Sequence, residues 1–159
     1  GMIPIISYNY GAQRPDRMKR TMKLGVMVGC SIMLFCLVIM QVFPGQILKI
    51  FDATDDMLSM GIPAVRIMSI AFIFAGFSVT CSGMFQAVGK GVYSMIVSMA
   101  RQLFVILPVA YFLSKAMNSV NGVWMAFPIA EVFSVIISTF LLLRVYKMIV
   151  KPLERGQIE

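Results

Sequence analysis

LGVMVGCSIMLFCLVIMQVF, residues 24–43, is a run of twenty residues without a charged side chain. A helix needs roughly 20 residues to cross a hydrocarbon core of about 30 Å, because each residue adds about 1.5 Å. In lipid the backbone must also satisfy its own hydrogen bonds, which a helix does. The run therefore predicts a transmembrane helix.

Three further apolar stretches follow, and we expect each to form a span: Ile67–Gly89, Gly91–Ser114 and Ala116–Leu143. The composition supports this interpretation, since 59% of the residues are hydrophobic, 13% are charged and the mean hydropathy is +0.86. A soluble domain has about twice that share of charged residues. The predicted fold class is all-α, a polytopic transmembrane helix bundle with four full spans.

The remaining segments divide the chain further. Residues 1–12 are interpreted as the end of a transmembrane helix that begins upstream of this sequence, and residues 13–23 as a basic cytoplasmic loop. Residues 24–159 then form a four-helix transmembrane part with a cytoplasmic C-terminal tail. The first apolar run is too long, and lies too far behind a basic stretch, to be a cleaved signal peptide.

Turn-forming residues separate the predicted spans. Pro44 and Gly45 are expected to end the first span, and residues 46–60 to form an external loop with a short amphipathic turn in the headgroup region. Pro63 is expected in the first turn of the next helix, where proline is tolerated. Residues 118–122 predict a second external turn.

The basic side chains are distributed unevenly between the two sides of the predicted bundle. Ten lie at one set of ends: Arg14, Arg17, Lys19, Arg20, Lys23, Lys90, Arg144, Lys147, Lys151 and Arg155. Three lie at the opposite ends: Lys49, Arg66 and Lys115. Because cytoplasmic loops carry the excess of Lys and Arg, we predict a multi-pass protein of the cell membrane with both chain ends in the cytoplasm. These charges adjoin hydrophobic segments, so the net charge of +7 does not indicate nucleic-acid binding.

The chain contains no histidine, which excludes a Ser-His-Asp triad and a histidine metal site from these residues. It contains no Gly-rich phosphate-binding loop of the NTPase type. Cys30, Cys36 and Cys81 fall inside predicted spans at spacings that fit neither a zinc site nor a redox pair, and we interpret them as small packing residues. We therefore predict that the protein is not an enzyme and holds neither a metal centre nor a cofactor.

Four motifs occur in order along the chain. They are GMIPIISYNYGA at residues 1–12, FQAVGK at 85–90, SMARQ at 98–102 followed by Pro108, and GVWMAFPIAE at 122–131. With the basic residues 17–23 behind the first motif, this order resembles the multidrug and toxic compound extrusion (MATE) family over nearly the whole chain.

The resemblance implies a twelve-helix exporter of two six-helix lobes, which exchanges Na+ or H+ for amphiphilic organic cations by alternating access. This chain would correspond to the end of helix eight through helix twelve, so that the first lobe, the acidic residue there that commonly binds the coupling cation, and helix seven are absent. The implied partners are the lipid bilayer, the missing N-terminal lobe of the same transporter and small cationic drugs. The piece alone is not expected to transport.

Two other functions stay open. A lipid-linked oligosaccharide or lipid flippase of the related superfamily predicts several basic residues that face a phosphate, whereas this chain has one arginine inside a predicted span. A truncated membrane fragment that inserts without transporting is the second alternative.

Arg101 and Glu131 are ionisable residues inside predicted spans, where such groups usually face a bundle interior or a water-filled cavity. At 1.5 Å per residue, they lie roughly 15 Å and 18 Å from the cytoplasmic ends of spans three and four. These similar depths predict an ion pair, since an isolated buried charge is far more expensive. The pair is either a structural clamp between helices, or Glu131 exchanges a proton or contacts cationic substrate.

Other side chains complete the candidate site. Gln86 is a polar group that needs a partner, either on another helix or on substrate. Phe77 and Met84 are candidates for contact with flat or variable ligands, with lipid-facing packing as the alternative. Pro108 and Pro128 are expected to kink spans three and four, because proline lacks the N–H of the helical ladder, and each is either a static kink or a hinge.

Overall fold

The structure is a computed structural model that describes residues 1–154. Within this part it contains helices and turns but no strand, so the predicted all-α class is confirmed. Its seven helices are α1 (Met2–Gly11), α2 (Pro15–Val42), α3 (Pro44–Ile50), α4 (Asp55–Ser69), α5 (Phe72–Ala87), α6 (Gly91–Met117) and α7 (Asn121–Glu154). Arg155, which is predicted to lie on the cytoplasmic side, is outside the described residues.

Three helices, α2, α6 and α7, are each long and apolar enough to cross a membrane. Helices α4 and α5 pass the same test together, although they meet at an angle of 54°. The described part of the chain therefore has three candidate crossings, and four if the bent pair is one crossing.

The outer surface of the bundle is apolar. No residue of the most apolar 18-residue window of α2 is buried inside the structure. Phe35 on α2 is 67% exposed and Phe140 on α7 is 66% exposed. An apolar surface this extensive matches hydrocarbon as the surrounding solvent and not water.

Helix α2 begins earlier than the sequence suggests. The predicted loop at residues 13–23 is wrong as secondary structure, because α2 begins at Pro15 and only a short turn precedes it. Pro15 occupies the first helical position and Asp16 lies in the first turn, both of which favour a helix start. The 28 residues of α2 span about 42 Å, so its basic first turns extend beyond a hydrocarbon core of about 30 Å.

The second span differs most from expectation. The predicted external loop at residues 46–60 contains most of α3 and the beginning of α4, so that the predicted start at Ile67 is wrong. Thr54 caps α4 by accepting a hydrogen bond from the backbone N–H of Met57 at 3.4 Å, and two aspartates occupy the first turn. Pro63 consequently lies inside α4 and not in its first turn.

The bend between α4 and α5 lies at Ile70 and Ala71, where α-helical hydrogen bonds give way to shorter-range ones. The carbonyl of Arg66 does not receive the N–H of Ile70, which donates to Ile67 instead. It accepts hydrogen bonds from Gln41 Nε2 at 2.8 Å and Ser69 Oγ at 3.0 Å. A side chain from α2 thus satisfies a backbone group that the bend releases, which is a recognised cause of helix bending.

The boundary between the last two spans also differs from the prediction. The predicted end at Ser114 and start at Ala116 are wrong, since α6 continues to Met117 and α7 begins at Asn121. Asn118 ends α6 in the left-handed region, with φ of 46°, as expected for a helix C-terminus. The basic residues assigned to a C-terminal tail, up to Lys151, are helical.

Small residues bring the helices together. A Cβ on Gly76 of α5 would lie 2.9 Å from the Cα of Cys30 in α2, so glycine is required for this approach. On α7 a buried row of small residues repeats every four positions: Gly122, Ala126, Ala130, Ser134 and Ser138. Cys81 is fully buried on α5, in agreement with its interpretation as a packing residue.

Candidate functional site

Helix α6 widens into a π-helix at Ala100–Ile106, and Arg101 is the second residue of this segment. Pro108 follows two residues after the segment. Because proline has no N–H, it cannot pair with the carbonyl of Phe104 in the α-helical pattern. The regular α-helical pattern is thus interrupted before Pro108 by a π segment, a local structure that is frequent at functional sites. Pro128, in contrast, lies inside the uninterrupted α-helical stretch Asn121–Val145.

Arg101 and Glu131 form the ion pair that their depths predict. Arg101 Nη1 donates to Glu131 Oε1 at 2.6 Å, between α6 and α7. The side chain of Glu131 is 11% exposed and that of Arg101 is 27% exposed. This partly buried pair joins α6 to α7.

The pair is incomplete on the carboxylate side. Glu131 Oε2 is buried and has no hydrogen-bond partner among the described residues. A bidentate contact with the guanidinium would satisfy both oxygens, but only one arginine nitrogen lies within bonding distance. A buried, unsatisfied carboxylate oxygen is costly, so Glu131 has capacity for a further partner.

Buried serines extend the polar interior beyond Glu131. Ser134 and Ser138 lie three and seven positions further along α7, on the same helix face, and are 1% and 0% exposed. Within residues 1–154, their hydroxyl groups and that of Ser78 on α5 have no hydrogen-bond partner. Ser134 and Ser138 were not predicted from the sequence, although their helical spacing from Glu131 was a usable signal.

A cavity of about 450 Å³ lies where α1, α5 and α6 meet. Its polar lining includes Gln86, Ser94, Ser98 and Arg101. Gln86 Nε2 donates to Ser94 Oγ at 3.1 Å, so the partner that Gln86 needs is on another helix. Arg101 is the one basic residue among the described residues of this lining, whereas a flippase was expected to show several.

Two residues that the sequence suggested for ligand contact, Met84 and Phe77, lie outside this cavity. Met84 is 3% exposed and belongs to the buried apolar core, and Phe77 packs against that core. Neither side chain lines the cavity with Gln86 and Arg101. Glu131 does not line the cavity either, and it is connected to the cavity through Arg101.

No group of three or more Cys, Asp or Glu side chains that could hold a metal ion is found within residues 1–154.

Comparison with known proteins gives a consistent family. The family model MatE matches residues 1–112, which covers α1 to most of α6 but not Glu131. The chain is 25% identical to the multidrug export protein MepA of Staphylococcus haemolyticus (strain JCSC1435), over 89% of this chain and 30% of that protein. It is 26% identical to the MepA protein of Staphylococcus saprophyticus, over 78% of this chain and 27% of that protein.

Solved structures share the fold. The structure of the MATE multidrug transporter DinF-BH is 32% identical, with a TM-score of 0.81, over 94% of this chain and 33% of that one. An inward-facing MATE family transporter of the MOP superfamily has a TM-score of 0.85 over 99% of this chain and 36% of that one, at 19% identity, which shows the fold alone. The chain thus spans about a third of the length of the proteins it matches.

Proposed function

The chain belongs to the MatE family, and we propose that it forms part of a secondary active multidrug efflux transporter. The whole transporter exchanges Na+ or H+ for amphiphilic organic cations by alternating access. The MepA export proteins and the likeness to a multidrug transporter at 32% identity support this proposal. Because the chain spans about a third of these proteins, a further lobe completes the transporter.

The incomplete ion pair between Arg101 and Glu131 carries the mechanistic part of the proposal. Glu131 holds Arg101 through Oε1 while Oε2 remains unpartnered inside the described part of the protein. A proton or Na+ at Oε2 lowers the negative charge that Arg101 experiences and weakens the contact between α6 and α7. Arg101 and Glu131 are then in contact in one state and separated in the other. Coupling requires a change of this kind between two states of the protein.

The π segment is the part of α6 in which separation of Arg101 from Glu131 would alter the helix path. Arg101 lies inside Ala100–Ile106, and Pro108 lies directly beyond it. Release of Arg101 allows α6 to change its path at a position where the α-helical ladder is already interrupted. In this proposal Pro108 acts as a hinge, whereas Pro128 is a static feature of α7.

The experiment uses the full-length protein that carries this chain, in cells without other multidrug exporters. Glu131→Gln keeps the shape of the side chain and removes its charge, so we expect efflux of a cationic dye, measured per amount of folded protein in the membrane, to fall to background. Glu154→Gln is the matched control on the same helix, because Glu154 lies at the helix end and contacts Lys19. Retained efflux in the Glu131→Gln protein would leave only a structural clamp.

The identity of the coupling cation is tested in proteoliposomes. A Na+ gradient and a pH gradient are imposed separately, and dye movement is followed in wild-type and Glu131→Gln protein. We expect one of the gradients to drive transport in the wild type and neither to do so in the variant. Transport by the variant under the same gradient contradicts a role for Glu131 in coupling.

A further inference from the structure

A groove on the outer surface of α7 combines two cations with apolar side chains. It is lined by Phe140, Leu143, Arg144, Lys147 and Met148 and has a volume of about 420 Å³. Their spacings of three and four residues place the main contacts on one face of the helix. Phe140 is 66% exposed and Leu143 is 56% exposed, so no other described element covers this face.

The depth of the groove follows from the length of α7. Trp124, in the first turn, is a side chain typical of the membrane interface. Arg144 follows twenty residues later, which is about 30 Å along a helix and matches the thickness of a hydrocarbon core. Arg144 and Lys147 therefore lie at the phosphate level of the opposite interface, with Phe140 beside the acyl chains.

The two cations have no counter-charge among the described residues. Neither Arg144 nor Lys147 forms a salt bridge within residues 1–154. The nearby carboxylate on α7, Glu154, accepts hydrogen bonds from Lys19 Nζ at 2.5 Å and Tyr146 Oη at 3.3 Å. Because Glu154 is already paired with Lys19 on α2, it does not neutralise Arg144 and Lys147.

We infer that this groove binds the headgroup phosphate of an anionic glycerophospholipid, with one acyl chain along Phe140 and Leu143. The planar guanidinium of Arg144 holds two phosphate oxygens and Lys147 adds a second charge. Two juxtamembrane cations raise the affinity for anionic over neutral lipid by roughly tenfold or more. The inference concerns a surface outside the Arg101–Glu131 pair and does not depend on the transport proposal.

A similar groove on α2 provides an internal comparison. It is lined by Lys19, Met22, Lys23, Val26 and Met27, with a volume of about 350 Å³. Here Lys19 is already paired with Glu154 and with Asp16, the latter at 3.3 Å. Because one of its two cations is neutralised, this groove should discriminate much less between lipids.

The test measures lipid retention by the full-length protein in mild detergent, using native mass spectrometry. Phosphatidylglycerol and phosphatidylcholine with identical acyl chains are added at equal concentration. We expect the wild type to retain phosphatidylglycerol about tenfold better, the Arg144→Gln/Lys147→Gln protein to lose this preference, and the Lys19→Gln/Lys23→Gln protein to keep it. Arg144→Lys/Lys147→Arg preserves both charges and should keep it as well, which separates charge from a folding defect.

Three results would overturn the inference. Equal retention of both lipids by the wild type means that the rest of the protein covers this face or that the charges do not select lipid. An unchanged preference after Arg144→Gln/Lys147→Gln places the anionic lipid elsewhere. Displacement of phosphatidylglycerol by millimolar inorganic phosphate assigns the groove to a free anion.

Discussion

Arg101 Nη1 and Glu131 Oε1 lie 2.6 Å apart, while the second oxygen of the same carboxylate is buried without a partner among the described residues. One charge-assisted hydrogen bond therefore joins α6 to α7, between a buried carboxylate and a partly exposed guanidinium. Removing one charge leaves the other uncompensated, whereas removing both leaves a neutral polar contact. Single and double variants should consequently behave differently.

Arg101→Gln is expected to destabilise the full-length protein strongly, because it leaves Glu131 as an unpaired buried charge. Breaking a fully buried pair from one side costs about 3–5 kcal/mol, and because Arg101 is 27% exposed we expect a loss at or below the lower end of this range. The double variant R101Q/E131Q should regain most of this loss, since it contains no buried charge at either position. Thermal unfolding in detergent, followed by size-exclusion chromatography, measures both. If the double variant is as unstable as the single one, the pair is not an energetic unit.

The depth of a residue in a transmembrane helix is predictable, because the rise per residue is fixed once a span is recognised. This is why the pairing of Arg101 with Glu131 could be inferred from two positions thirty residues apart. The sequence also indicated an interrupted helix at Pro108. Each of these inferences uses a physical rule that applies to one or two residues and does not require the position of the partner helix.

Tertiary contacts decided the features that were not predicted from the sequence. The bend between α4 and α5 depends on Gln41, which reaches the carbonyl of Arg66 from a different helix. The residues around Ile70 contain no pattern that predicts the bend. Pro63 suggested a helix start at the wrong position. Burial of Ser134 likewise depends on the packing of α7 against its neighbours. The start of α4 was predictable in retrospect from the cap at Thr54.

Gln41→Leu should weaken the bend between α4 and α5. The variant removes hydrogen bonds to the carbonyl of Arg66 and to Ser69 Oγ, at 2.8 Å and 3.1 Å, and replaces them with an apolar side chain. We expect a loss of about 1–3 kcal/mol, measured by thermal unfolding of the full-length protein. Gln102→Leu, at an exposed position on α6, is the matched control. Equal stability of the two variants would show that the Gln41 contacts do not support the bend.

Gly76→Ala should separate α2 from α5. The added Cβ would lie 2.9 Å from Cys30 Cα and 3.0 Å from its backbone nitrogen, so the helix backbone itself must move. Overpacking of this kind costs about 1–3 kcal/mol, which thermal unfolding detects. Gly91→Ala is the control, since a Cβ there meets nothing within 4 Å. A neutral effect of Gly76→Ala would contradict the close approach of the two helices.

Single cysteines decide whether the bent pair α4–α5 is one crossing. Gly11 and Val120, both exposed, are separated by α2, the bent pair and α6, so three crossings place them on opposite sides and two place them on the same side. In a protein without other cysteines, a membrane-impermeant maleimide should label Val120→Cys in intact cells and Gly11→Cys only after lysis, because the basic ends are predicted to be cytoplasmic. Labelling of both from outside, or of neither, would make α4–α5 a re-entrant segment. The reverse pattern would keep the crossing and invert the predicted orientation.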